Sequence, residues 1–159
     1  MPIKIRWTSR EYISWALMLF GACGLFQVLF IFLGQYFLRV GNYIIIIVIP
    51  FCITLALFFA SIIIFESFAQ VERKKKMRFQ FRKIKYYSSG LKAFLGFPIT
   101  RPLIIVFSVF TPFFFVSFYV SLMFLDYQFS FIIAEDFGAI MALLIANYIE
   151  KKYARIRRY

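Results

Sequence analysis

The chain has 159 residues, is 63% hydrophobic, and carries 19 basic residues against 7 acidic ones, with no histidine. Soluble domains are roughly half apolar, so 24 phenylalanines and long aliphatic runs exclude a water-soluble fold. The lack of histidine excludes His-ligated haem, most zinc and copper sites, and every nucleophile system that needs an imidazole.

The elements are legible in chain order. Lys4, Arg6 and Arg10 precede a run at 12–38 with no charge in it. A helix crosses the hydrocarbon core with about 20 apolar residues, so this run is a predicted span. Secretory h-regions are only ~7–15 residues long, so it is expected to be retained rather than cleaved. At about 100° per residue, Gly24, Gln27, Gly34 and Gln35 share one arc, a predicted interhelical packing and hydrogen-bonding face. A short connection holding Arg39 leads to a second predicted span at 41–66, interrupted only by Pro50 and closed by Glu66. Cys23 and Cys52 lie inside these two runs without CxxC spacing and read as small core hydrophobes.

Residues 67–100 are strongly basic. Arg73, Lys74, Lys75, Lys76, Arg78, Arg82, Lys83 and Lys85 fall here, interleaved with Met77, Phe81, Ile84, Leu91 and Phe94 at roughly helical spacing. That pattern predicts an amphipathic helix on the membrane surface, in contact with anionic lipid or a partner protein. A third span is predicted at 102–125, with Thr111–Pro112 near its middle, and a fourth at 127–149. In the fourth, Ala134, Gly138, Ala142 and Ala146 recur every four residues, the small-residue pattern of close helix packing. A basic tail, 150–159, ends the chain.

Charge orients these spans. Eighteen of the 19 basic residues precede the first span, lie between the second and third, or follow the fourth; Arg39 is the exception. The positive-inside rule therefore predicts both termini and the long loop on the cytoplasmic side. Trp7, Tyr12, Trp15, Tyr148 and Tyr153 then mark the inner interface, and Tyr36, Tyr43 and Tyr127 the outer one. Orientation explains the basic charge, and no nucleic-acid-binding motif accompanies it.

The one chemical oddity is the sequence "FIIAEDFGAIM" at 131–141. An ionised carboxylate in hydrocarbon is normally paired, protonated or turned to water. On a helical wheel Glu135 projects with the Ala134–Gly138 seam. Asp136 points about 100° away, onto the face of Ile140, Leu143 and Asn147. Arg39, the outer side's sole basic residue, is the expected ion-pair partner of one acid. Two carboxylates, without histidine and without other acids nearby in sequence, are a weak signal for a metal site, and none is predicted.

In organisation the chain resembles the small four-helix membrane proteins that accompany polyprenyl-phosphate sugar transferases. The resemblance rests on two-helix halves that each end in a basic stretch, "SFAQVERKKK" (67–76) and "ANYIEKKYAR" (146–155). It implies four spans, both ends inside, and a role beside another membrane protein.

The expectation is an all-α, four-span integral membrane protein of the prokaryotic plasma membrane, a single bundle without cofactor. Its expected role is a non-catalytic accessory subunit of a larger membrane complex, with lipids and other subunits as partners. The alternative is a small oligomeric transporter, lipid-linked-sugar flippase-like protein or channel using the intramembrane acids.

Overall fold

A computed structural model of the chain describes residues 10–78 and 99–155, and the side chains of 13–69 and 99–152. Four helices make up the fold of the described residues. Helix α1 runs Arg10–Phe32 and continues as a π-helical turn, Leu33–Phe37; α2 is Tyr43–Arg78, α3 Thr100–Leu122 and α4 Tyr127–Arg155. No strand occurs among the described residues. Ile13–Phe37, Tyr43–Ala69, Thr100–Leu122 and Tyr127–Lys152 are each long and apolar enough to cross a membrane.

Two helices outrun their apolar segments. Helix α2 continues past Glu66 through Arg78, and α4 continues past Ile149 through Arg155. Neither extension contains glycine or proline, and both are rich in Ala, Glu, Lys and Arg, which favour helix. Hydropathy marks where a helix enters water, whereas the helix itself ends where backbone propensity fails. Arg82, Lys83 and Lys85, with the amphipathic helix expected around Phe81, Ile84, Leu91 and Phe94, lie outside the described residues.

The first connection is built by local chemistry. The Leu38 N–H donates to the Leu33 carbonyl at 2.9 Å, an i→i−5 bond that closes the π turn, and Val40 N–H reaches Gly34 O at 3.1 Å. Arg39 (φ 50°) and Gly41 (φ 72°) then take left-handed backbone to reverse the chain; glycine adopts this freely and arginine at a cost. Asn42 caps α2: its Oδ1 accepts the Ile44 N–H at 3.1 Å, satisfying a donor the helix leaves open. The second connection is equally short, with Phe124 and Leu125 N–H both donating to Ser121 O. The ring of Phe131 lies beside Gly34, where a Cβ would stand 3.0 Å from it, so both short turns sit at the same end of the bundle. Tyr36, Tyr43 and Tyr127 are exposed at that end, where interfacial aromatics belong.

Helix α4 is central, packing extensively on both α3 and α2, while α1 lies mainly on α2. The α3–α4 seam sets large against small. Phe110, Phe114 and Phe118 of α3 are 0–1% exposed and recur every fourth residue. Helix α4 faces them with the stripe of Ala134, Gly138, Ala142 and Ala146, all buried, and the Phe110 ring lies directly over Gly138. Rings from three helices continue the cluster. Phe26 stacks on Phe107 at 3.9 Å, Phe30 meets Phe114 edge-on at 4.7 Å, and Phe131 meets Phe114 edge-on at 5.9 Å. Large apolar side chains cover the outside, among them Leu25, Phe51, Val116 and Ile140.

Pro50 and Pro112 stand inside unbroken helices, the first buried and the second exposed. Nearby hydroxyls bond back to their own helix: Thr54 Oγ1 to Pro50 O at 2.8 Å and Thr111 Oγ1 to Phe107 O at 2.9 Å. Such back-bonding satisfies a hydroxyl where no water is available.

Candidate functional site

Polar contacts join different helices in the interior. One is Gln27 with Glu135. Gln27 lies on the buried edge of α1 that also carries Leu19, Cys23, Phe30 and Gly34. Glu135 lies near the centre of the buried arc of α4 and is fully buried. Gln27 Nε2 donates to Glu135 Oε2 at 3.4 Å, longer than the usual range of about 2.7–3.2 Å and so a long, weak bond. The amide oxygen of Gln27, Oε1, and the second carboxyl oxygen of Glu135, Oε1, are buried without a hydrogen-bond partner. A second contact is one turn away along α1, where Cys23 Sγ and Ser61 Oγ are 3.6 Å apart.

The remaining buried hydroxyls do not converge on this pair. Ser67 Oγ donates to Ile63 O at 2.7 Å, and Ser130 Oγ to Leu125 O at 3.4 Å. Both cysteines are free, Cys23 buried and Cys52 exposed. No group of three or more His, Cys, Asp or Glu residues that could hold a metal ion occurs among the described residues.

The residues singled out from sequence are distributed as follows. Glu135 is inside the bundle. Asp136 is on the outside of α4 and exposed, as is Asn147 on the same face. Arg39 is exposed in the first turn, and the partner that Glu135 has is Gln27 rather than Arg39. Gln27 reaches Glu135 from α1, a helix that packs mainly on α2, and no wheel of α4 alone could show this.

The α1 arc divides. Gln27 and Gly34 are buried, but Gly24 and Gln35 are half-exposed, and no atom lies within 4 Å of where a Gly24 Cβ would stand. Of the basic cluster, Arg73, Lys74, Lys75, Lys76 and Arg78 are carried on the last turns of α2, beyond the described side chains. Sequence reasoning missed the phenylalanine ladder of α3 as the counterpart of the small-residue stripe. Its i, i+4 spacing was the available signal, hidden because almost every residue in that run is apolar.

Comparison with known proteins finds no family model, no curated relative and no solved structure that matches the chain.

Proposed function

We propose that this chain is an integral membrane protein with four spans and both ends on the cytoplasmic side, acting as a non-catalytic subunit of a larger membrane assembly. The observation that carries the reading is the separation of the chain's intramembrane polar groups. Glu135 is enclosed against Gln27, while the neighbouring Asp136 is on the exterior. Buried phenylalanine rings, Phe30, Phe110, Phe114, Phe118 and Phe131, belong to the same interior. A catalytic or transport site needs polar groups converging on a shared space; here the two acids are turned about 100° apart on one helix, one to the interior and one to the exterior. The basic stretches support the orientation through the positive-inside rule and supply attraction to anionic lipid of about 1 kcal/mol for each Lys or Arg near the surface.

Native mass measurement after mild-detergent extraction tests the role. A stoichiometric assembly with other proteins is expected; a lone chain or a pure homo-oligomer would refute it. Orientation is tested by single-cysteine substitution of Asp126 in a background with Cys23 and Cys52 replaced by serine. An impermeant maleimide should label it from the outer side only.

One observation favours a second reading, a proton- or cation-handling transporter. Gln27 Oε1 and Glu135 Oε1 are buried and unpartnered, and such atoms call for an explanation. In that reading Glu135→Gln abolishes flux while the fold persists. Unchanged flux would exclude Glu135 from the route.

A further inference from the structure

We propose that the outward face of α4 around Asp136 docks a transmembrane helix of a different protein, one carrying a lysine or arginine near the middle of its span. The inference rests on the subunit reading above and names the partner's chemistry.

Asp136 lies about 13 Å along α4 from its start, counting 1.5 Å per residue. That is close to the centre of a hydrocarbon layer about 30 Å thick. It is exposed, and Ile133, Phe137 and Ile140 around it are 40%, 42% and 53% exposed. No hydrogen bond or ion pair engages it among the described residues. Phe129, Ile133, Asp136, Ile140 and Asn147 fall within an arc of about 60° and form one continuous stripe. Ionisable side chains at this depth almost always face a bundle interior or pair with another group. Among the described residues Asp136 does neither, because Glu135 takes the interior direction on the same helix turn.

Charge complementarity selects the occupant. A second copy cannot answer the carboxylate: within the four apolar spans, Arg101, Lys151 and Lys152 are the sole basic residues and all stand at span ends. Arg39 is in the turn at the level where α4 begins, well above Asp136. Symmetric α4–α4 pairing would set carboxylate against carboxylate. A cation at mid-span must therefore come from another protein. Asn147, farther along the stripe, adds a hydrogen-bonding group that fixes the register of the incoming helix.

The test uses the full chain in neutral phosphatidylcholine vesicles and fluorescence energy transfer to synthetic leucine–alanine helices. One peptide has a central lysine and the reference has a central leucine. Polar interhelical contacts in model peptides correspond to roughly 5- to 30-fold in affinity, so the lysine peptide should bind tighter by about that ratio. Asp136→Leu should erase the difference, and Asp136→Lys should shift preference to a peptide with a central glutamate. Both changes are on the exterior, and unchanged helical circular dichroism will verify the fold. Equal binding of the two peptides, or a lysine preference that survives Asp136→Leu, overturns the proposal. So does self-association that depends on Asp136 and ignores the peptides, which would assign the face to a second copy. If the extracted assembly keeps its partners when Asp136 is leucine, the docking face fails and the subunit reading stands. A chain extracted alone would refute the subunit reading itself.

Discussion

Gly138→Ala is a one-carbon change whose cost follows from the α3–α4 seam. A Cβ at Gly138 would stand 2.9 Å from Phe110 Cε2 and 3.0 Å from Cδ2, inside normal van der Waals contact. The ring cannot swing aside easily. Phe110 is fully buried, with Phe26 at 5.7 Å, Phe30 at 5.0 Å and Phe114 at 6.1 Å between centroids. Overpacking a filled core costs about 1–3 kcal/mol. Replacing a mid-helix glycine by alanine returns up to about 1 kcal/mol of helix propensity. The expected net effect is a loss of about 1–2 kcal/mol. Gly24→Ala is the internal control, since a Cβ there meets nothing within 4 Å and propensity alone should leave it neutral or slightly stabilised. Reversible unfolding in mixed micelles, followed by far-ultraviolet circular dichroism, measures both. Phe110→Leu should make Gly138→Ala better tolerated, giving a coupling of about 1 kcal/mol in a double-mutant cycle. Equal stabilities for Gly138→Ala and Gly24→Ala would refute the proposed seam.

The other expectations concern the remaining joints of the bundle and use the same unfolding assay. Phe114→Ala removes a fully buried ring that touches Phe30 and Phe131, and should cost about 3–5 kcal/mol; a loss below about 1 kcal/mol would mean that the three rings do not share a core. Glu135→Gln retains a group able to pair with the Gln27 amide and should stay within about 1 kcal/mol of the parent. Glu135→Leu leaves Gln27 without its partner and should destabilise more, by about 1–3 kcal/mol. Gly34→Ala sets a Cβ 3.0 Å from the Phe131 ring and should lower stability by about 1 kcal/mol, with partial recovery when Phe131 is also reduced to leucine. Asn42→Ala deletes the cap on α2 and should cost about 1 kcal/mol, whereas Asn42→Asp should retain most of it.

Particular residues show how far sequence alone reaches. The four apolar runs decide helix number and class, because a lipid-exposed backbone must satisfy its own hydrogen bonds and a helix does so within one segment. The i, i+4 stripe of Ala134, Gly138, Ala142 and Ala146 announced a packing face, and the division of Glu135 from Asp136 follows from 100° per residue. Those are local properties, set by the period of a single helix. Which helix faces which is not local. Gln27 and Glu135 are 108 residues apart in sequence, and Gly24 resembles Gly34 on paper, yet only Gly34 lies under another helix's ring. In a run where nearly every residue is apolar, hydropathy cannot separate the lipid-facing side from the buried side. Shape does that, by fitting the phenylalanines of α3 against the small residues of α4. Composition and period therefore determined four helices long and apolar enough to cross a membrane, and two acids turned to different faces of α4. Tertiary packing alone decided that an amide, rather than Arg39, receives the inner carboxyl and that the outer one is left to the exterior, because partner choice depends on the depth and rotation of neighbouring helices.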